Sequence, residues 1–417
     1  MAVAEKGRNV VLTKAETDTR HDTADYTDFA HTGPGTLAGR FMRRFWHPVY
    51  LAAELPAGHA KPVRVMSEDF TLYRGDDGTP HLVDARCAHR GTQLSTGWVE
   101  GDCIRCFYHG WKYDGAGQCV EQPAEDASFA GKVKIQSYPT QEYLGLVFAY
   151  LGEGTTRRDA EYYERHAARV AAPPLPRYPE LEADGVLDVW SYTRGCNYFN
   201  NLENSLDLAH IGFVHRAGTG SFDGVTDSPK VFEAAETGWG IEYYVEHPSG
   251  KKFRSQFGMP NSFHHTNFPR VPELVSHNED LTFWVPIDDE SHYQFMVSVV
   301  RLKGDVADRY IELRDQKLAK RDLPNQDLAE LVLAGELRVA DIDLERTDAV
   351  RLQDDIAQVG QGRVADRDRE RLGRSDRGVI MIRKLWLREL RALAEGRPLT
   401  RWSYNPESLR PLARVGR

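Results

Sequence analysis

Apolar and polar residues alternate in short runs along the first third of the chain, and a turn signal closes each run. Pro62–Met66, Phe70–Arg74 and His81–Ala85 are of this kind, with Gly-Asp-Asp-Gly (75–78) between the last two. Cys103–Tyr108, Gln118–Glu121 and Leu144–Leu151 continue the series, and Asp114-Gly115-Ala116-Gly117 marks another turn. The pattern predicts a compact antiparallel β domain of about 110 residues.

Before this domain, residues 1–36 are polar and aperiodic, which predicts an extended or mobile leader. After it, Ala171-Ala172-Pro173-Pro174-Leu175-Pro176 reads as a linker or domain-edge crossing. Strands are then expected at Val186–Thr193, Ile241–Val245, Leu281–Val285 and His292–Arg301, with helical spacing over Cys196–Phe213. Beyond residue 305 the pattern turns helical, at Asp308–Lys320, Gln326–Ala334 and Val379–Ala394. In the last of these, Ile382, Leu385, Trp386, Leu390 and Leu393 line one face. Strands followed by helices predict an α+β second domain: an antiparallel sheet gripped by helices. The division is 1–36, 37–155 and 156–417.

Composition adds exclusions. The formal net charge of −9 argues against a nucleic-acid or anionic-membrane binder. The charge is uneven, because residues 363–417 hold fifteen basic and seven acidic side chains. That segment reads as a helix-rich surface in salt bridges, or as a docking face for an acidic partner. No run approaches the roughly 18 to 20 apolar residues of a spanning helix, and the N-terminus has no apolar signal region. Five cysteines among 417 residues do not make a disulfide framework, so a reducing cytoplasm is expected.

Fifteen histidines are more suggestive, and their spacing matters. Cys87-Ala88-His89 and Cys106-Phe107-Tyr108-His109 lie at the ends of β runs, with sixteen residues between His89 and Cys106. Four such ligands suit either a tetrahedral zinc or a 2Fe-2S cluster with cysteines on one iron and histidines on the other. The short C-x-H step crowds a single ion and favours two irons. Cys103-Ile104-Arg105-Cys106 is also a CxxC, but a thioredoxin-like pair needs a βαβ context. Cys103, Cys119 and Cys196 are therefore expected to be buried structural thiols.

The passage CAHRG…RCFYHGWKYD resembles the Rieske domain of ring-hydroxylating oxygenases, and HTGPGTLAGRFMRRFWHPVY is similar to their phthalate-dioxygenase-like branch, which includes aromatic O-demethylases. The resemblance runs, with gaps, from about residue 31 to ADRDRERLGRSDRGV. It implies that Cys87 and Cys106 bind one iron and His89 and His109 the other. Trp111 would cover the cluster, and Arg90 and Gly91 would shape the loop.

A second pattern, Asp207-x2-His210-x4-His215, follows about a hundred residues later. Asp207 and His210 share a helix face, whereas His215 is rotated about 140° from His210 on a regular helix. Both imidazoles reach one metal only if the helix ends or distorts, and Gly212 supplies a place. The resemblance makes His210 and His215 ligands of a mononuclear Fe(II), completed by a carboxylate from Leu352-Gln353-Asp354-Asp355-Ile356-Ala357. It selects Asp355 over Asp354, although Gly360 departs from the family by standing where an acid is frequent. It also gives Asp207 a bond to His210 and to His109 of a neighbouring subunit, implying a homotrimer. Asn204 takes the place of an iron-proximal asparagine. Arg216, His264 and His265 are considered for the pocket but not assigned.

No GxGxxG opens a helix after a strand. Electrons must then come from NAD(P)H through a partner reductase, with or without a ferredoxin. The expected activity is oxygenation of an aromatic compound by O2: dihydroxylation, monohydroxylation or O-demethylation. The alternatives are a Rieske electron carrier without oxygenase activity and a zinc-stabilised binding protein.

Overall fold

The structure, a computed structural model, describes residues 26–152, 172–182, 184–215, 229–248, 250, 252–267, 270–275, 278–318, 325–343, 346 and 348–404. Arg216 and most of the leader lie outside the described residues. Helix α1 (Leu37–Met42) leads into strands β1 (Trp46–Leu51), β2 (Ala60–Val65), β3 (Glu68–Arg74), β4 (Pro80–Asp84), β5 (Trp98–Glu100), β6 (Cys103–Arg105), β7 (Lys112–Tyr113) and β8 (Cys119–Glu121). Helix α2 (Ala127–Ala130), β9 (Ser137–Tyr138), β10 (Thr140–Tyr143) and β11 (Leu146–Tyr150) follow. These strands make three antiparallel sheets, ordered β1-β11-β10, β2-β3-β4-β9 and β5-β6-β7-β8. The expected runs match within two residues, except Cys103–Tyr108. That strand stops at Arg105, because Cys106 opens a loop.

The second half carries β12 (Val186–Arg194), α3 (Tyr198–Ser205), α4 (Ile211–Val214), β13 (Val231–Glu236), β14 (Gly240–Glu246), β15 (Lys252–Gly258), β16 (Ser262–Asn267), β17 (Asn278–Pro286) and β18 (His292–Val300). Helices α5 (Asp305–Leu318), α6 (Asn325–Leu333), α7 (Ala349–Val359) and α8 (Arg377–Ala394) complete it. One seven-stranded antiparallel sheet runs β12-β18-β17-β16-β15-β14-β13. The expected α+β class with a helix-gripped antiparallel sheet is what forms. Strands β13, β15 and β16 were not anticipated, since their polar residues (Lys252, Arg254, Gln256, His264) hide the alternation.

Strand alternation gives the sheet two faces. The outer face packs on the first β region, with Phe283 against Phe148 at 5.6 Å between ring centroids, edge to face. The amides of Met66 and Ser67 donate to Pro286 and Ile287 carbonyls at 2.8 and 2.9 Å. The inner face, which carries Trp190, Tyr192 and Arg194, turns toward α3 and α7. Helix α8 packs on β13 and β14, and its Ile382, Leu385, Trp386, Leu390 and Leu393 are all buried as expected. Trp386 meets Phe41 and Phe199 edge to face at 5.1 and 5.4 Å.

The end of the leader packs on α3. Phe29 stacks on Phe199 at 5.0 Å, and its carbonyl accepts from the Tyr198 hydroxyl at 2.7 Å. An aromatic side chain repays ordering of that segment by the area it buries.

Candidate metal centres

Two loops of the first β region repeat one plan. After β4, the Cys87 amide donates to Thr92 and its carbonyl accepts from Gly91 at 2.9 Å. After β6, the Cys106 amide donates to Trp111 and its carbonyl accepts from Gly110 at 3.1 Å. Each turn closes on a glycine in the left-handed region, φ +77° at Gly91 and +74° at Gly110, which only glycine enters freely. The plan brings Cys87 and Cys106, both buried, side by side. It also sets the His89 and His109 rings 4.4 Å apart. Trp111 stacks on His89 at 4.5 Å and 9°. Arg90 is exposed over Tyr108; Arg86 is the arginine that holds the loop, donating to Gly91 O at 3.1 Å.

Burial pushes the Cys87 thiol up, and the neighbouring Cys106 adds to this. The Tyr113 hydroxyl lies 3.2 Å from Cys87 Sγ and accepts from the Ala88 amide at 3.2 Å. Its proton is thereby left for the sulfur. Sequence reasoning missed Tyr113, whose only signal is its place opposite the first loop. The set fits a 2Fe-2S cluster with two thiolates and two imidazoles: His89 Nδ1 is enclosed with no hydrogen-bond partner. Cys103 is half-buried at the start of β6, while Cys119 and Cys196 are buried; all five cysteines are free.

The second group forms where α3 ends. Asn197 caps α3, its side-chain oxygen accepting from the Phe199 amide at 3.0 Å. The helix stops at Ser205, so Asp207 and His210 do not share a helix face as expected. Instead Asp207 Oδ1 accepts from the Ala209 amide at 3.0 Å, the local bond by which an aspartate competes with helix. The Asp207 backbone carbonyl, not its carboxylate, accepts from His210 Nδ1. The break therefore precedes His210 and does not fall at Gly212, which is buried within α4. His210 and His215 bracket that single turn, their rings 5.5 Å apart.

Asp354 completes the group. Its Oδ1 lies 3.7 Å from His210 Nε2 and 3.4 Å from His215 Nε2, and the three candidate ligand atoms fall within 4.8 Å of one another. The expectation for Asp355 is corrected. Adjacent helix residues point about 100° apart, and Asp355 is turned away to pair with Arg194 in the core. His215 Nδ1 donates to Gln353 Oε1 at 2.9 Å. With both Nδ1 atoms committed to oxygen acceptors, both Nε2 atoms face the Asp354 carboxylate, and each carries a lone pair for a metal when its ring is neutral. Burial disfavours charge at Asp354, but the two histidines and Arg194 outweigh it and hold its carboxyl below the usual range. Two imidazoles and one carboxylate, its Oδ1 enclosed without a hydrogen-bond partner, fit a mononuclear iron.

Asn204, in the last turn of α3, is half-buried. Asp207 is half-buried, and burial pushes its carboxyl up. Of the two β16 histidines, alternation puts His265 on the sheet's inner face and His264 on the outer one. Gln353, Asp354 and Arg194 were missed or passed over. Only Gln353-Asp354-Asp355, polar within an otherwise amphipathic helix, hinted at the first two.

A Rieske [2Fe-2S] domain is matched over residues 45–139. The chain is 30% identical over 378 residues to the 5,5'-dehydrodivanillate O-demethylase oxygenase subunit of Sphingobium sp., covering 88% of this chain and 80% of that one. It belongs to the Rieske ring-hydroxylating oxygenases, as an oxygenase (alpha) subunit. The phthalate 4,5-dioxygenase oxygenase subunit of Pseudomonas putida is 27% identical, over 86% of this chain and 83% of that protein. Among solved structures, Pseudomonas putida CBB5 NdmA shares the fold at TM-score 0.60 and 20% identity, covering 86% and 93% of the two chains. The oxygenase of carbazole 1,9a-dioxygenase, solved with its ferredoxin, shares it at TM-score 0.59 and 21% identity, covering 89% and 95%. As a Rieske oxygenase subunit, the chain uses a 2Fe-2S cluster and a mononuclear iron to oxygenate its substrate with O2. No described helix is long and apolar enough to cross a membrane.

Proposed function

We propose that Cys87, Cys106, His89 and His109 hold the cluster, and that His210, His215 and Asp354 hold the mononuclear iron. The observation that carries this reading is the convergence of two tautomer-fixed imidazoles and one half-buried carboxylate in a chain that also bears a Rieske domain. When bound, the cluster supplies one electron at a time, and the iron supplies a site for O2 beside the substrate. The chain's own part is orientation. Gln353 and the Asp207 carbonyl hold the imidazole lone pairs inward, and Asp354 presents one oxygen between them.

In this reading residues 37–155 form the Rieske domain and 156–417 the catalytic domain. Electrons come from NAD(P)H through a reductase or ferredoxin, the substrate is an aromatic compound, and the enzyme works in the cytoplasm. Asn204 lines the iron site, and Asp207 links it to His109 of a neighbouring copy in a homotrimer. Exposed aromatic surface supports such a contact: Phe107 and Tyr108 beside the cluster are 59% and 56% exposed, and Phe213 on α4 is 59% exposed. A purely electron-carrying role leaves the His210, His215 and Asp354 group without a purpose.

Metal analysis tests the assignment. About three irons per chain are expected, falling to about two in Asp354→Asn with the cluster spectrum and labile sulfide intact. Retention of the third iron in Asp354→Asn refutes the ligand set. A colourless protein holding one zinc refutes the whole reading.

A further inference from the structure

Arg194, at the end of β12, is among the largest fully buried side chains, and no feature of its sequence marked it. Its guanidinium joins three elements. Nε donates to Asp355 of α7, and Nη1 to Asn201 of α3 and, at 2.8 Å, to Gln358 of α7. Nη2 donates to the Tyr192 hydroxyl on its own strand. Asp355 and Gln358 are three residues apart, so one guanidinium grips one face of α7 at two points.

A helix held twice along one face cannot turn about its axis. Because Asp354 lies about 100° from Asp355, that grip fixes where the Asp354 carboxylate points. A second contact acts in the same sense: Arg351, one turn before Asp354, stacks over Trp190 and Tyr192 at 4.1 and 4.5 Å. The same guanidinium also holds α3, which runs into the segment carrying His210 and His215. Both ligand-bearing segments are thus referred to one fixed cation.

We infer that Arg194 is a positioning residue of the mononuclear site, acting through Asp355 and Gln358 to set the direction of Asp354 and through Asn201 to set its distance from the histidines. This inference rests on the ligand set proposed above. A planar guanidinium is needed, since a lysine offers one point charge and cannot reach four acceptors in a fork.

The test is Co(II) binding to protein that keeps its cluster but has been stripped of the mononuclear iron. Arg194→Met alone strands Asp355 in the core, so the informative variant is R194M/D355L, which replaces a buried pair by apolar groups of similar volume. It is expected to keep the cluster spectrum and the melting temperature while Co(II) affinity falls at least tenfold and the cobalt absorption bands change. Arg194→Lys is expected to lose affinity as well. Wild-type affinity and bands in R194M/D355L overturn the inference. If the double variant does not fold, Gln358→Leu is read by the same criterion, with a loss of several-fold expected and no loss overturning the inference. Asp354→Asn run alongside separates the failures: if it binds Co(II) like the wild type, the ligand assignment itself is wrong.

Discussion

The Gln353→Leu substitution examines how the iron site is prepared before any metal arrives. Gln353 and His215 are both buried, 4% and 2% exposed, so water does not replace a lost partner. Removing Oε1 takes away the acceptor of the His215 Nδ1–H bond in a buried site, a cost of about 1–3 kcal/mol. The ring can escape that cost by moving its proton to Nε2, where Asp354 Oδ1 waits at 3.4 Å. That tautomer has no lone pair for a metal. Binding must then reverse the shift, and the penalty appears as lost affinity of roughly 10 to 100-fold, the usual range when a ligand histidine loses its hydrogen-bond partner. The assay is Fe(II) or Co(II) titration of cluster-loaded protein, with iron content per chain as a check. Gln353→Glu, which keeps the acceptor, should bind at least as tightly as the wild type. Unchanged affinity in Gln353→Leu would refute the argument that this bond selects the tautomer.

Other outcomes follow from the loops and from buried histidines. Gly91→Ala meets no atom within 4 Å and should cost only the backbone strain of a left-handed residue, about 1–2 kcal/mol. Gly110→Ala adds a Cβ 3.2 Å from Pro123 and should lose its cluster faster on dilution, as read by visible absorbance; equal loss rates would contradict this. Burial pushes the imidazoles of His47 and His264 down to about 4, and those of His265 and His292 to about 3. Below pH 6.5 the unfolded chain takes up protons that these sites refuse, so stability falls as pH drops toward 4. The loss is up to about 1.4 kcal/mol per pH unit for each histidine. The melting temperature should hold between pH 7 and 8 and fall below 6.5; a constant value down to pH 5 contradicts the assignment of neutral buried rings.

The cluster loops were legible because their proposed ligands sit in two short segments whose spacing is itself the chemistry. Cys87, His89, Cys106 and His109 each lie within five residues of the glycine that turns the loop, so local sequence carries the geometry. The α8 face was legible for a similar reason, because a helical period is a local property. The mononuclear site was legible only in its first half. His210 and His215 share one segment, although the break that brings them together was misplaced to Gly212, since the Asp207 turn competes with helix in a way periodicity does not register.

Choosing between Asp354 and Asp355 needed the tertiary structure. Both are acidic, adjacent and on one helix, and nothing local distinguishes them. What decides is the rotation of α7, and that is fixed by Arg194, 161 residues earlier in the chain. A guanidinium in the core must be paired, and the carboxylate that pairs it is no longer free for the histidines. Local order wrote the ligand types into the sequence; packing between distant elements chose which of them face one another.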